Sequence, residues 1–359
     1  MVKDLDKKDV SFERKRPDVY GDAHPKALLK SIQEDGERLK KLSSQHIVSS
    51  AQFDRETLLQ LFRLAAKYES NPERFSTPLK GKVLISAFYE PSTRTRLSFE
   101  SAWHRLGGDI MSITDRSTTG IAKGETLSDV GEMFNNYGDC VVLRDTQESA
   151  VIEMMDSLRI PIINAGNGID EHPTQALADL YTIFKWCPEL LTQTQNNKQQ
   201  IKIAIVGVPN KMRTVRSLLK ILSIFSEIIE EVIIVHDHNS ESIFDIKQKE
   251  DLQQAGLKIS TSSNLDAVIP NCDIIYINAI AWQGESYESY GGQFVLDKSS
   301  PLKKDAIILH PLARGEELST ELDNTQHNWY FSQARGAVFI RMALLTCICE
   351  RTERVVDVI

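Results

Sequence analysis

The amino-acid sequence predicts an α/β protein with two domains, each built on a parallel β-sheet flanked by helices. From residue 46 onward, short apolar segments typical of buried strands alternate with helical segments of about ten to fifteen residues. The polar segment 188–200, PELLTQTQNNKQQ, contains no glycine and few apolar residues, which is typical of a domain boundary. We therefore expect a polar extension over 1–45, a first domain over 46–187 and a second domain over 188–335.

The elements of the first half follow from hydrophobic periodicity. Apolar runs such as GKVLISAF predict buried strands, and apolar residues at helical spacing predict the helices between them. The predicted strands span 82–88, 109–113, 139–143 and 160–164, and the predicted helices span 54–68, 94–106, 127–136, 149–158 and 173–186. In the extension, the spacing of Leu28, Ile32, Leu39 and Leu42 predicts an amphipathic helix that is interrupted near Gly36.

The second half shows the same alternation. The predicted strands span 201–206, 231–235, 273–277 and 306–309, and the predicted helices span 213–225, 243–255 and 336–352. Strands that alternate with helices in this way form parallel sheets, because a parallel pair needs a crossover connection.

Composition and charge limit the classes of function. The chain has 359 residues, a net charge of −8 and a pI of about 5.6, which argues against nucleic acid as a partner. No apolar run approaches the roughly 20 residues of a membrane-spanning helix, so we expect no membrane partner. The N-terminus is charged and lacks the apolar core of a secretory signal. The five cysteines lack metal-ligand spacing and indicate buried thiols in a reducing compartment, so we expect a cytoplasmic protein.

The segment PSTRTRLSFE, residues 91–100, predicts an anion-binding site. It lies where a predicted strand ends and a helix begins, so unpaired backbone N–H groups and the helix dipole favour negative charge there. Ser92, Thr93 and Thr95 add hydroxyl donors. Arg94 and Arg96 add forked cations that suit phosphate oxygens. The alternative is an ordinary helix cap with solvated arginines, but five such residues in succession favour the anion site.

Further polar residues lie at the carboxyl ends of other predicted strands, where ligands bind in open α/β sheets. Pro173 is suited to the first position of a helix, which places His172 and Gln175 at the start of that helix. Arg144 directly follows the apolar strand 139–143, and a salt bridge at the sheet end is the alternative role. Lys123 lies on a glycine-flanked loop, where a lysine is usually only solvated.

Two segments of the second half complete the set of candidate residues. The segment IAIVGVPNKMRTVRSLLKIL is a strand, a turn and a helix with Arg213 near the helix start. It lacks the G-x-G-x-x-G pattern, and the chain contains no P-loop pattern, which disfavours a dinucleotide-dependent dehydrogenase. The segment ILHPLARGEEL places His310 and Pro311 at the end of another strand.

Together these motifs resemble the aspartate/ornithine carbamoyltransferase family, and its aspartate branch in particular. The phosphate-binding signature S-T-R-T-R is complete at residues 92–96, and HPTQALADL is similar to the H-P-x-Q motif. KGETL is similar to the loop of the family that contacts a neighbouring subunit, and HPLAR is similar to H-P-L-P-R of the aspartate branch. The resemblance covers about 46–352 in the same order and leaves 1–45 unexplained.

The resemblance implies carbamoyl transfer from carbamoyl phosphate to an amino acceptor, with L-aspartate as the expected acceptor and no metal or organic cofactor. It names 46–187 as the carbamoyl-phosphate-binding domain, against which the C-terminal helix 336–359 packs back, and 188–335 as the acceptor-binding domain. Ser92, Thr93, Arg94 and Thr95 would bind the phosphate. Thr95, Arg144 and His172 would polarise the carbonyl group. Gln175 and the backbone carbonyls of Pro311 and Leu312 would hold the carbamoyl amide.

The resemblance also implies an assembly and a closing motion. Thr119 and Lys123 would enter the active site of an adjacent subunit, so a homotrimer would be obligatory for activity. Arg213 would bind the α-carboxylate of the acceptor. The site would lie in the cleft between the domains, which would close on the second substrate.

The acceptor loop departs from the pattern of the aspartate branch. That branch has an arginine and a glutamine where this sequence has Ala279 and Ala281, and residues 274–297 contain no lysine or arginine. A carboxylate held without a cation is costly, by roughly 2–5 kcal/mol. Trp282 would fill the space of the missing arginine, and Glu285 or Glu288 would attract a cationic acceptor.

A second departure concerns the loop that would hold the carbamoyl group. Ala313 replaces the proline of H-P-L-P-R, which in the family follows a cis peptide bond. Three hypotheses therefore stand: an aspartate carbamoyltransferase with an unusual acceptor loop, a carbamoyltransferase for a neutral or cationic amine, and a catalytically weak paralogue with a binding role.

Overall fold

The computed structural model describes residues 25–71, 77–168, 170–192, 199–237, 243–278 and 294–349. The structure contains two parallel sheets, one formed by strands that precede residue 188 in the sequence and one by strands that follow residue 200. The first comprises β1 (Val83–Phe88), β2 (Asp109–Ile113), β3 (Cys140–Asp145) and β4 (Ile162–Asn167). The second comprises β5 (Ile201–Val206), β6 (Ile229–Val235), β7 (Ile259–Ser262), β8 (Ile274–Ile277) and β9 (Ile307–Leu309). The predicted α/β class is confirmed, and the exact domain limits stay a prediction.

The helices lie before, between and after these strands along the chain. Along the first half they are α1 (Pro25–Ser31), α2 (Arg55–Ser70), α3 (Thr93–Arg105), α4 (Leu127–Tyr137), α5 (Ala150–Met155) and α6 (Pro173–Trp186). Along the second half they are α7 (Arg213–Ser223), α8 (Ile246–Gln254), α9 (Leu265–Val268) and α10 (Tyr330–Ile348). Six of these helices, α3, α4, α5, α7, α8 and α9, connect consecutive strands of one sheet as crossovers.

The strand order places two switch points in the molecule. The order is β2-β1-β3-β4 in the first sheet and β7-β6-β5-β8-β9 in the second, with every pairing parallel. In each sheet the chain first builds outward in one direction and then returns to the other side of its starting strand. The crevices at the carboxyl ends of β1 and β3, and of β5 and β8, are therefore the expected ligand sites.

The predicted start of the last helix was wrong, and one strand was missed. The last helix begins at Tyr330 rather than at 336, because its first turn already packs into the core. β7 has the sequence ISTS, and its residues are partly or fully exposed. A short edge strand without an apolar pattern gives no periodic signal, so hydrophobic periodicity did not detect β7.

α10 joins the two halves of the molecule. It packs against α2, α3 and α6, and most of its side chains are buried. By length and composition α10 is apolar enough to cross a membrane, but 78% of its most apolar window is buried inside the protein, as expected for a core helix. The largest hydrophobic cluster includes residues of both sheets together with α6, α7 and α10.

The described part of the N-terminal extension docks on this core. α1 is followed by a 3-10 helix that begins at Gly36, which confirms the predicted interruption, and Leu28, Leu39 and Leu42 are buried. Lys67 of α2 donates a hydrogen bond to Glu34 and helps to hold the extension in place. Residues 1–24 lie outside the described ranges.

Candidate active site

The N-terminus of α3 forms the floor of the site. Ser92 is the N-cap residue and has extended backbone angles, but its side chain makes no capping hydrogen bond. Thr93, Arg94 and Thr95 occupy the first turn of α3, which begins after a short turn that follows β1. Their N–H groups and side chains therefore face the switch point of the first sheet with positive potential.

Arg94 supplies the positive charge of this turn that faces the site. Among the residues that the structure describes, its guanidinium has no hydrogen-bond or ion-pair partner, whereas Arg96 pairs with Glu100 at 3.1 Å. Partial burial lowers the pKa of Arg94 because the charged form loses hydration. An unpaired, partly desolvated guanidinium at a helix N-terminus is suited to a phosphate group.

His172 supplies a neutral imidazole next to this turn. Its Nε2 lies 3.4 Å from the Thr95 hydroxyl, and its backbone N–H donates to Ser217 Oγ at 2.9 Å. Burial, followed by the charges of Arg144, Arg341 and Arg213, holds the pKa of His172 well below its ordinary value. The ring is therefore uncharged at neutral pH and can donate a hydrogen bond without adding a net charge.

Gly166 brings His172 and Arg213 close to the end of β4. Its φ is +102°, and a Cβ built there would lie 3.2 Å from the His172 ring and 3.3 Å from Arg213 Nε. Glycine is required because a side chain would be strained at this φ and would crowd both groups.

Two further arginines share one carboxylate. Glu90, which follows β1, accepts hydrogen bonds from Arg144 Nη2 and from both terminal nitrogens of Arg213. Arg144 lies within β3 rather than after it, because the pairing with β1 extends to Phe88 and Arg144. The register between β3 and β4 shifts next to Arg144. Burial lowers the pKa of Arg144, and the positive charge of Arg213 lowers it further.

The opposite wall is formed by hydrogen-bonded amides. Gln175 Nε2 donates to Asp179 Oδ1 at 2.7 Å, and Gln333 Nε2 donates to the same oxygen at 2.6 Å. The hydroxyl of Tyr276 donates to Asp179 Oδ2 at 3.0 Å. Burial raises the pKa of Asp179 to about 7, although the three donated hydrogen bonds act in the opposite direction.

The loop after β9 closes this wall. The N–H of Leu312 donates to His310 Nδ1 at 2.8 Å, and His310 Nε2 contacts Glu317 Oε1 at 2.9 Å. The peptide bond between Leu312 and Ala313 is cis, so the cis bond that the family has before proline is present here before alanine.

A cavity of about 320 Å³ connects these groups. Several predicted residues share its lining, namely Thr93, Arg94, Thr95, Gln175 and Pro311. His172 contacts Thr95 of the lining, Leu312 contacts His310 of the lining, and Ser92 precedes Thr93 in the chain. Arg144 and Arg213 do not line this cavity, and both contact Glu90 instead.

The remaining predicted residues are not brought to the site within one chain. Thr119 donates a hydrogen bond to Arg116 O at 2.7 Å within its own loop. Lys123 ends an exposed 3-10 helix and has no hydrogen-bond or ion-pair partner among the described residues. Ala279, Ala281, Trp282, Glu285 and Glu288 lie outside the described ranges.

Sequence reasoning missed four polar residues of the site, namely Glu90, Asp179, Gln333 and Arg341. Arg341 is buried in α10, donates to Ser98 and lies 4.6 Å from the centre of the Phe99 ring. Burial lowers its pKa to about 9. A single arginine inside the apolar run AVFIRMALL is a signal that could have identified it, because buried charges are rare.

Comparison with known families defines the class of this protein. Residues 45–185 match the family model described as the aspartate/ornithine carbamoyltransferase, carbamoyl-P binding domain, and residues 199–348 match its Asp/Orn binding domain. The chain therefore belongs to the aspartate/ornithine carbamoyltransferase family and is a carbamoyltransferase enzyme.

Relatives and solved structures narrow this placement to the aspartate branch. The chain is 36% identical to the aspartate carbamoyltransferase catalytic subunit of Methanothermobacter thermautotrophicus over 84% of this chain and 94% of the relative. It is 38% identical to the chloroplastic aspartate carbamoyltransferase of Arabidopsis thaliana over 88% of this chain and 80% of the relative. The structure of aspartate transcarbamoylase from Trypanosoma cruzi with carbamoyl phosphate and aspartate is similar, with a TM-score of 0.74 and 31% identity. The match covers 86% of this chain and 98% of the other.

Proposed function

We propose that this chain transfers the carbamoyl group of carbamoyl phosphate to L-aspartate and forms N-carbamoyl-L-aspartate, a step of pyrimidine biosynthesis. The observation that carries the proposal is the arrangement of three groups. Arg94 lines the cavity and has no partner among the described residues, neutral His172 lies beside Thr95 of the same lining, and the positive charge of Arg144 lowers the pKa of His172. The names of the relatives, and the carbamoyl phosphate and aspartate in the similar solved structure, support the same substrates.

The first turn of α3 binds the phosphate in this proposal. Backbone N–H groups, the hydroxyls of Ser92, Thr93 and Thr95, and the guanidinium of Arg94 supply donors to its oxygens. Phosphate is also the leaving group. The same donors therefore stabilise the negative charge that grows as the bond between the carbonyl carbon and the phosphate oxygen breaks.

Thr95, Arg144 and His172 act on the carbonyl oxygen. A neutral amine attacks the carbonyl carbon, forms the new C–N bond and places negative charge on this oxygen. Phosphate then leaves with the electron pair of the broken C–O bond and takes up the proton that the amine loses. The protein supplies positions and preorganised charge, and no covalent bond to a side chain is required.

Gln175 and the loop after β9 recognise the carbamoyl NH₂ group. This group is a hydrogen-bond donor, so it needs acceptors such as the Gln175 side-chain oxygen and the carbonyls of Pro311 and Leu312. The acceptor amine enters from the second sheet, where Arg213 at the start of α7 offers a cation to its α-carboxylate.

Acceptor choice is the part of the proposal that the sequence of the loop challenges. Residues 274–297 contain no lysine or arginine, which favours a neutral or cationic amine as the second candidate acceptor. The decisive experiment measures ureido product from carbamoyl phosphate with L-aspartate, and with neutral and diamino acceptors in parallel. Activity with aspartate supports the proposal, activity only with another amine supports the second candidate, and no product with any acceptor contradicts both.

We also propose that the active form is a homotrimer in the cytoplasm. A trimer would give the half-buried Thr119 and the exposed Lys123 a site in the neighbouring subunit. All five cysteines are free and buried, which confirms the predicted buried thiols and supports a reducing compartment.

A further inference from the structure

We propose that Asp179 is a positioning residue that orients Gln175 and the loop after β9, so that their hydrogen-bond acceptors face the carbamoyl NH₂ group. This inference rests on the proposed function, because it assigns a role in binding carbamoyl phosphate. It concerns a residue that lies one helical turn beyond Gln175 on α6 and is fully buried.

The first step concerns Gln175. Its Nε2 donates to Asp179 Oδ1 at 2.7 Å, and the same oxygen accepts a second amide N–H from Gln333. The Gln175 amide is therefore held with its NH₂ group toward Asp179 and its oxygen away from it. Without this partner the amide would have no fixed orientation. Its NH₂ group could then face the NH₂ group of the ligand, and two donors cannot form a hydrogen bond with each other.

The second step concerns the loop after β9. Gln333 Nε2 donates to the same oxygen of Asp179 at 2.6 Å, so Gln333 Oε1 points away and accepts the N–H of His310 at 2.8 Å. His310 Nδ1 in turn accepts the N–H of Leu312. A chain of four residues thus leads from Asp179 to the loop whose Pro311 and Leu312 carbonyls are the other acceptors.

The third step explains why one carboxylate can orient both Gln175 and Gln333. Tyr276 of β8 donates to Oδ2 at 3.0 Å, which leaves Oδ1 for the two glutamines. The three donors come from α6, α10 and β8, so they belong to different parts of the core. A carboxylate with a donor set on both oxygens is held in one rotamer, and this rotamer fixes the two amides.

A pair of ligands that differ only in this NH₂ group tests the inference. Acetyl phosphate has the carbonyl and phosphate groups of carbamoyl phosphate but carries a methyl group in place of NH₂. We expect the wild-type protein to prefer carbamoyl phosphate by roughly tenfold or more, since each hydrogen bond contributes about 1 kcal/mol. Asp179→Leu, which has a similar shape and no acceptor, should bring the ratio of the two dissociation constants toward one.

The expected signature is selective. In Asp179→Leu, affinity for carbamoyl phosphate should fall by roughly tenfold, and affinity for acetyl phosphate by less than about threefold. Asp179→Asn is the matched control, because its oxygen can face both glutamines while its NH₂ group donates to the Tyr276 hydroxyl. This variant should keep most of the preference. A folded Asp179→Leu protein with an unchanged ratio, or one that loses both ligands equally, would overturn the inference.

A second variant covers the case in which Asp179→Leu does not fold. Gln333→Leu leaves Asp179 bonded to Gln175 and Tyr276 and breaks the connection from Asp179 to His310, so it should lower the preference by roughly threefold. An unchanged preference in this variant would also overturn the inference. A wild-type protein that binds neither acyl phosphate would contradict the proposed function itself. A wild-type preference that the variants leave unchanged would overturn only the role of Asp179.

Discussion

The carboxylate of Glu90 accepts hydrogen bonds from both terminal nitrogens of Arg213, at 3.1 and 2.9 Å. Glu90 follows a strand of the first sheet and Arg213 begins a helix of the second, so this pair crosses the cleft between them. The same carboxylate binds Arg144. One acidic residue therefore holds two cations that would contact different substrates.

Glu90→Gln should weaken use of the acceptor without weakening phosphate binding. The variant keeps the shape and loses the charge that aligns Arg213, so kcat/KM for the acceptor should fall by roughly tenfold or more. Affinity for carbamoyl phosphate should stay equal or rise, because the site becomes more positive. Steady-state kinetics with each substrate varied in turn gives both values. Glu132→Gln, which loses an exposed pair with Arg159, should change neither value.

Arg94→Ala should abolish phosphate-dependent binding. Loss of charged hydrogen bonds to a phosphate corresponds to about 3 kcal/mol, or roughly a hundredfold in affinity. Calorimetric titration with carbamoyl phosphate measures this loss. Arg105→Ala removes an exposed arginine at the far end of the same helix and serves as the control. Near-normal affinity in Arg94→Ala would show that the anion is bound elsewhere.

Mixed trimers should regain activity that neither parent has. If Lys123 acts in the neighbouring site, a trimer that contains both Arg94→Ala and Lys123→Ala subunits has one intact site. Random reassembly of equal amounts should then restore roughly a quarter of wild-type activity. The assay compares the reassembled mixture with each variant treated alone. A mixture as inactive as its parents would place Lys123 in its own subunit's site or outside any site.

The pH dependence of stability should report Asp179. Its folded pKa is raised to about 7, so the stability that this group contributes is present in acid and is lost as the pH rises through 7. Between pH 6 and pH 8, the wild type should lose about 1 kcal/mol of unfolding free energy relative to Asp179→Asn. Urea unfolding of both proteins at several pH values measures this difference. Parallel curves would mean that Asp179 keeps an ordinary pKa.

Lys220→Met should destabilise the fold by about 1–3 kcal/mol. Lys220 lies 2.6 Å from the buried carboxylate of Glu171, which also accepts hydrogen bonds from Ser49, Ser50 and Ser217. The variant leaves this carboxylate without its cation.

The double variant Lys220→Met with Glu171→Gln should recover part of the lost free energy, because the unpaired charge is gone. Lys202→Met is the control, since Lys202 is half-buried and pairs with the exposed carboxylate of Glu230, so its loss should change little. Equal unfolding free energies for Lys220→Met and the wild type would contradict a stabilising role for the pair.

The residues that sequence reasoning located are those whose signal is local. The run from Ser92 to Arg96 is visible because five polar residues follow one another between an apolar strand and a helix. His172 and Gln175 are visible because Pro173 marks the helix start. In these cases the chemistry, the turn and the element boundary all lie within a few residues of one another.

The residues that were missed depend on distant contacts. Asp179 is the one acidic residue of α6, and two of its partners lie 97 and 154 residues away along the chain. Arg144 was placed after its strand because charge usually ends an apolar run, but pairing with β1 extends the strand through it. No local pattern contains these contacts, since they form only when the sheets and α10 come together.

The position of α10 in the chain affects how the protein is made. This helix follows every strand described here, and yet it packs on α2, α3 and α6, which belong to the first half. During translation the first half must therefore leave the ribosome with one wall of its hydrophobic core uncovered. That exposed surface persists until roughly 150 further residues have been added, so a ribosome-bound chain that stops before Tyr330 is a natural substrate for chaperones.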